Sequence, residues 1–421
     1  MKRFVFFLIF SLAVQFTFAQ FEPNYDESKV PEFNVPDPLK TFKGRKIKKT
    51  KQWEKKGRPE LLEFFSQNVY GEVPGKLNIK SFEVLEKSDG ACGGKARRKQ
   101  VELNFERDGR TLSFTIYLCL PKTDKQVPVF VGYNFYGNHT ITENSNIIIS
   151  EAWTRNNPSF GIINNQLTEQ SRGVRTNRWP IEKIIDAGYG LAVIYYGEVD
   201  PDKDDMTDGV HPLFYVDDQQ QPANNEWGSI SAWAWGLSKA MDYFEKDKNI
   251  DASRVIVFGH SRLGKTSLWA GATDGRFAGV ISNNSGCGGA ALSKRRYGET
   301  IWRITKSFPH WFCKNFKGFA KNEEALPADQ HELIALLAPR PVYVASAEED
   351  KWADPKGEFL SALYATPVYE LYGKKGIIQK EMPAVNQPIQ NTVAYHIRTG
   401  KHDVTDYDWE QYIKWADKFI K

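Results

Sequence analysis

Apolar and polar positions alternate through the first third of the chain and then change rhythm. Phe82-Glu83-Val84-Leu85, Val101-Glu102-Leu103-Asn104-Phe105 and residues 112–118 have the period of two expected of half-buried strands. Asp108-Gly109 separates the last two as a hairpin turn. Before them, residues 52–75 carry an amphipathic helix around Glu60-Leu61-Leu62-Glu63-Phe64-Phe65, closed by Gly71 and Pro74. From Val127-Pro128-Val129-Phe130-Val131-Gly132 onward, short mostly apolar runs alternate with helical patterns. Residues 190–195, 254–258, 280–282, 342–345 and 392–397 predict strands. Residues 180–187, 229–244 and 407–420 predict helices. Antiparallel strands followed by strand–helix alternation specify an α/β class: a three-layer sandwich around a mostly parallel sheet with an antiparallel edge. Its crossovers are expected to be right-handed, with the site at the carboxyl ends of the parallel strands. Residues 137–178 and 200–228 show no clear period and are read as insertions around that site's mouth.

The ends of the chain set its organisation. Lys2 and Arg3, the apolar run Phe4 to Val14 and the small residues Thr17 and Ala19 read as a signal peptide over residues 1–19. Residues 20–51, with Pro31, Pro36, Pro38 and a basic run from Lys43 to Lys51, are an extended lead-in. Residues 52–421 form one α/β domain, long enough for a large core. No other stretch reaches membrane-spanning length. The mature chain is therefore expected to be secreted or periplasmic, free of the membrane, and monomeric. Net charge is +4, or +2 without Lys2 and Arg3, which does not suggest a nucleic-acid partner. Cys92, Cys119, Cys287 and Cys313 permit disulfides in an exported protein; Cys92 with Cys119 and Cys287 with Cys313 are the sequence-local pairings, and free buried thiols fit equally. No zinc spacing is present, and no metal or other cofactor is expected.

The stretch with chemistry in it is Gly259-His260-Ser261-Arg262-Leu263-Gly264-Lys265, between the apolar run Arg254–Phe258 and the helical Thr266–Ala272. A serine between glycines at a strand-to-helix turn reads as the nucleophile elbow of the α/β-hydrolase fold. A helix-capping serine would produce the same local string. The second glycine stands one place later than in G-x-S-x-G, and Arg262 directly follows the serine. Enzymes of this fold place serine, acid and histidine in that chain order. His402 lies after the last strand and is the candidate base; His396 sits inside the strand pattern and reads as structural. The acid belongs just past residues 342–345, where Asp350 is the choice and Glu349 and Asp354 are the alternatives. Asp354 would also suit a helix cap before Pro355. Arg262 is a cation beside the nucleophile, where an ester's carbonyl oxygen gains charge in the transition state. Lys265 lies four residues after Ser261, on the same helical face.

With these residues in order, the chain resembles the glucuronoyl esterases, carbohydrate esterase family 15, from about residue 52 to the end. Asn134-Phe135-Tyr136-Gly137-Asn138-His139, Arg178-Trp179-Pro180, Ser285-Gly286-Cys287-Gly288-Gly289, Gly298-Glu299-Thr300 and Asp350-Lys351-Trp352 add to the likeness. The resemblance implies an α/β-hydrolase that cleaves esters between (4-O-methyl-)glucuronic acid of glucuronoxylan and lignin alcohols. It implies Ser261 as nucleophile, His402 as base, Arg262 as oxyanion stabiliser, and Lys265, Glu299 and Trp352 as uronate-binding residues. Fungal members carry the acid as a glutamate where this chain has Asn284, while some bacterial members resemble this chain in placing it after the later strand. His260 stands where many members have cysteine, so the disulfide that fungal members make there is not expected. Trp311 and Phe312 would suit a tunnel of aromatics contacting lignin rings, but core packing is the preferred reading of both. Two other functions compete. One is a different carbohydrate or acyl esterase on the same fold, such as a xylan deacetylase, which would need no uronate site. The other is a non-catalytic glycan-binding protein, which would need no serine, acid and base in order.

Overall fold

The computed structural model describes residues 22–421, so the segment read as a signal peptide lies outside the described residues. Nine strands form one sheet: β1 (Ser81–Ala91), β2 (Ala96–Arg107), β3 (Arg110–Pro121), β4 (Val127–Asn134), β5 (Gly190–Tyr195), β6 (Ile250–His260), β7 (Gly279–Asn283), β8 (Val342–Ala347) and β9 (Val393–Arg398). Their order is β1-β2-β3-β5-β4-β6-β7-β8-β9. The first three strands and the β3–β5 pair run antiparallel. From β5 to β9 every pairing is parallel. This is the α/β-hydrolase arrangement, and it has the predicted antiparallel edge.

The helices are α1 (Thr50–Gln52), α2 (Arg58–Phe65), α3 (Ile181–Asp186), α4 (Tyr196–Val199), α5 (Ser229–Phe244), α6 (Arg262–Thr273), α7 (Ile301–Ser307), α8 (Gln330–Ala335), α9 (Pro355–Leu371) and α10 (Asp406–Phe419). They cover both sheet faces. On one face Trp233, Trp269 and Phe359, from α5, α6 and α9, join a buried cluster with Val129, Val257 and Val344. On the other, Trp409, Tyr412 and Trp415 of α10 pack with Phe130, Phe258 and Tyr343. Residues facing opposite ways along one strand thus enter opposite cores. That is why β4, β5, β8 and β9 are buried along their whole length and read as mostly apolar runs rather than as alternating ones.

The structure departs from the sequence reading at the sheet's outer edge. Phe82, Val84 and Leu85 were expected to be half-buried, yet they are 44%, 46% and 37% exposed. Strand β1 pairs on one side alone, with β2. Phe82 makes one edge-on contact with Tyr243. The strand's Glu86, Lys87 and Asp89 place charge on the edge, which discourages pairing with another chain. Residues 137–178 and 200–228 fold as short 3₁₀ turns and irregular backbone. The lead-in lies along the surface. The Asn24 carbonyl accepts from Gly298 N–H at 2.9 Å, Arg295 donates to Glu27 at 2.7 Å, and His331 Nε2 meets the Pro36 carbonyl at 2.9 Å. All four cysteines are free thiols; Cys92 and Cys119 lie 3.9 Å apart, sulfur to sulfur.

Candidate active site

Strand β6 ends at His260, and Ser261 makes the turn into α6 with φ 59° and ψ −129°. That left-handed φ is unfavourable for a residue with a Cβ and is held by its surroundings. The Ser261 N–H donates to the Asn283 carbonyl at 2.9 Å, and the Ser261 carbonyl accepts from Gly264 N–H at 2.9 Å. The first turn of α6 crosses directly over Gly259, where an added Cβ would stand 1.8 Å from the Leu263 carbonyl oxygen. Gly264 packs on Ser285 and Asn283, with a Cβ there 3.0 Å from Ser285 Cβ. Leu263 is buried in the core. The close approach to β7 falls at residue 264, which accounts for a glycine one place later than the usual spacing.

The candidate acid and base come from neighbouring strand ends. Strands β8 and β9 stay paired past their ends, since Glu348 N–H donates to the Arg398 carbonyl and Glu349 N–H to that of Gly400. This carries Asp350 beside His402, with His402 Nδ1 and Asp350 Oδ2 2.5 Å apart. Asn284 Nδ2 donates to the same carboxylate oxygen at 2.8 Å. The His402 loop is clamped by buried Arg398, which donates to the carbonyls of Thr399, Lys401 and Asp403 and to the Asp408 carboxylate. The alternatives to Asp350 have other surroundings. Glu349 is exposed. Asp354 caps α9 through the Gly357 N–H at 3.0 Å and pairs with Arg295 at 2.8 Å. His396 bridges Tyr343 and Asp408 inside the core, each at 3.0 Å.

Ser261, Arg262, Lys265, Glu299, Asp350, Trp352 and His402, all singled out from the sequence, line one cavity of about 300 Å³. Asn284, Ser285, Gly286, Phe308, Trp311 and Ala353 complete its wall. Phe312 lies in the core as expected, but Trp311 does not behave as a core aromatic alone. Trp311 stacks on Phe308 with ring centroids 3.8 Å apart and forms a cavity wall. No local sequence signal separated Trp311 from its neighbour.

Charge inside the cavity is arranged in opposed pairs. Lys265 is buried, donates to the Ser285 carbonyl and lies 5.9 Å from the centroid of the Trp311 ring. Burial lowers the Lys265 pKa while Glu299 works to raise it. Burial raises the Glu299 carboxyl while Lys265 and the Trp352 hydrogen bond work to lower it. Arg262 reaches Asp202 in an ion pair, and its guanidinium lies 5.3 Å from the Phe135 ring and 4.9 Å from the Trp311 ring. The His260 ring lies tilted beside that of His402, with centroids 4.5 Å apart, and bonds Asn283 at 2.6 Å. Burial, and then the neighbouring His402, keep His260 well below the ordinary imidazole range, hence neutral. A charge forming on His402 therefore meets no like charge there.

Sheet order, elbow and strand-end cavity together define an α/β-hydrolase. A sequence model described as "Glucuronyl esterase, fungi" matches residues 182–373. Carbohydrate esterase MZ0003, from an unknown prokaryotic organism, is 52% identical over 396 residues, which span 94% of this chain and 91% of that protein. The solved structure of a promiscuous CE15 esterase from a marine bacterial metagenome is 50% identical, with a TM-score of 0.89, over 94% of this chain and 100% of that one. The glucuronoyl esterase from Solibacter usitatus is 46% identical, with a TM-score of 0.87, over 93% and 99% of the two chains. The chain belongs to carbohydrate esterase family 15, the glucuronoyl esterases, and is a carboxylic ester hydrolase.

Proposed function

We propose that this chain is an exported serine esterase that hydrolyses the ester joining (4-O-methyl-)glucuronic acid of glucuronoxylan to lignin alcohols. The observation that carries this reading is the 2.5 Å contact between His402 Nδ1 and Asp350 in the cavity that also holds Ser261 and the Lys265–Glu299 pair. Asp350 fixes the imidazole so that Nε2 is free to act as base. His402 Nε2 takes the Ser261 proton as Oγ attacks the uronate carbonyl. Negative charge builds on the carbonyl oxygen beside Arg262, whose guanidinium and backbone N–H stabilise it. The intermediate collapses, the C–O bond to the alcohol breaks, and His402 returns its proton to the leaving oxygen. Water then attacks the acyl-enzyme by the same route and releases the free uronic acid. Lys265, Glu299 and Trp352 hold the sugar ring and its hydroxyls.

The second reading, a broader carbohydrate or acyl esterase, has one observation in its favour: a relative of 50% identity is described as promiscuous. The two are separated by comparing kcat/KM on benzyl glucuronate with that on an acetylated xylan fragment. The uronate ester is expected to be the better substrate by at least tenfold, and Ser261→Ala is expected to abolish turnover of both. Equal rates on the two esters would favour the broader reading. Undiminished turnover by Ser261→Ala would remove the serine mechanism.

A further inference from the structure

The irregular segment 200–228 sends one carboxylate into the wall of the site. Asp202 is 4% exposed, in a run where Asp204 faces solvent. Its two oxygens meet four donors. Oδ1 takes Trp311 Nε1 at 2.7 Å and His310 Nε2 at 2.8 Å. Oδ2 takes Arg262 Nη1 and the Tyr196 hydroxyl, the latter at 3.3 Å. Burial alone would raise this carboxyl; the Arg262 charge and the His310 and Trp311 donors hold it below the ordinary carboxylate range. Arg262 occupies the first position of α6, where the helix dipole disfavours a cation. Its side chain has four rotatable bonds before the guanidinium, and the flanking Phe135 and Trp311 rings lie against it without fixing its reach.

We infer that Asp202 is a positioning residue for ester hydrolysis: it anchors the Arg262 guanidinium beside Ser261 and, through Trp311, ties that position to the wall of the acyl pocket. The inference rests on the reading of Arg262 as the oxyanion-stabilising cation. The anchoring needs the negative charge, because a neutral side chain of the same shape would keep an acceptor for Trp311 and turn a donor toward Arg262. A pairing made before substrate arrives also spares the reaction the cost of ordering a long cationic side chain.

The test is a double-mutant cycle on the full chain with benzyl glucuronate, using Asp202→Asn, Arg262→Ala and the double variant. Folding is checked by circular dichroism and thermal unfolding. Asp202→Asn is expected to lower kcat roughly 10- to 100-fold with KM changed less than about threefold. In the Arg262→Ala background the same substitution is expected to change kcat by less than about twofold, because its effect runs through Arg262. An unchanged kcat, a rise in KM alone, or an equal loss in both backgrounds would overturn the inference. Should Asp202→Asn not fold, Asp202→Glu carries the test. Retaining the charge, it is expected to lose less than about tenfold in kcat, and a loss as large as that of Arg262→Ala would overturn the anchor. Ser261→Ala run alongside separates the two levels. If it is inactive and the cycle is additive, only the role of Asp202 fails. If it is active, the serine mechanism and the role of Asp202 fail together.

Discussion

Asp350 and Glu349 are adjacent in the chain and differ in what their carboxylates can reach. Asp350 is buried against His402 Nδ1 and Asn284 Nδ2, whereas Glu349 is exposed and held through its backbone N–H on the Gly400 carbonyl. Asp350→Asn leaves the shape but presents the imidazole with a partner that no longer selects its tautomer or stabilises its cation. It is expected to lower kcat roughly a thousandfold to ten-thousandfold, while Glu349→Gln stays within about twofold, both measured by steady-state rates on benzyl glucuronate. A rate for Asp350→Asn near that of the parent would move the acid elsewhere. Asp350 was singled out in the sequence because it follows a buried strand at the place in chain order where this fold puts an acid, and in the fold it lies against His402 Nδ1. Asp202 and Arg398 were not, and Asn284 stood out only as the position where fungal members carry the acid, not as a partner of Asp350. Each gets its role from a partner brought close by folding, such as Asp202 meeting Arg262 sixty positions away, and nothing in the adjoining residues records that partner.

The elbow is the element on which the site turns, and its two glycines are constrained to different degrees. At Gly259 an added methyl group meets the carbonyl of Leu263, which is backbone in the first turn of α6 and cannot swing aside. At Gly264 the nearest atoms are Ser285 Cβ at 3.0 Å and the Gly259 and Asn283 carbonyl oxygens at 3.1 and 3.2 Å, contacts that a shift of a few tenths of an ångström relieves. Gly259→Ala is therefore expected to destabilise the protein by about 3 kcal/mol or more and to reduce activity strongly, whereas Gly264→Ala is expected to cost about 1–2 kcal/mol. Urea unfolding monitored by tryptophan fluorescence compares them, and equal stabilities would contradict the crossing geometry. Elements with strong periodicity were readable. Helix α5 spans Ser229–Phe244, the range its tryptophan- and alanine-rich pattern predicted, and β2 and β3 meet at the Asp108-Gly109 turn. The exposed face of β1 was not readable, since alternation fixes which side chains share a face but not whether anything covers it. The insertions were recognised only by their lack of period. Their content, including Asp202, follows from the surface they cover.

At the scale of the whole molecule, buried ionisable groups set how stability varies with pH, and they fall into two opposed sets. Burial lowers His139 and His331 to about 4 and His260 well below its ordinary value. The unfolded chain binds these protons below about pH 6.5 and the folded chain does not, so each histidine adds stability as pH rises to that point. Burial raises Glu198 to about 7 and both Glu332 and Glu358 to about 8. These carboxyls keep a proton in the fold that the unfolded chain has lost above about pH 4.5, so each removes stability as pH rises to its folded value. Between about pH 4.5 and 6.5 the two sets largely cancel. Above that range the histidine contribution is complete, and the raised carboxyls lower stability, with these glutamates contributing until about pH 8, each by up to roughly 1.4 kcal/mol per pH unit. Unfolding free energies from urea titrations at pH 5.5, 6.5 and 8 are expected to be similar at 5.5 and 6.5 and to fall toward 8. Glu358→Gln isolates one term. Its amide oxygen can still accept from Ser285 and Gly286 N–H, as the carboxylate does at 2.7 and 3.0 Å, and its amine can bond Ser346 Oγ. The variant should therefore keep its fold while the slope above pH 6.5 shrinks by one proton's worth. A slope unchanged in Glu358→Gln would mean that this carboxyl is already ionised in the fold. The loop carrying Asn284 would then rest on a buried negative charge rather than on a neutral acid, close to the Asp350 carboxylate that contacts His402.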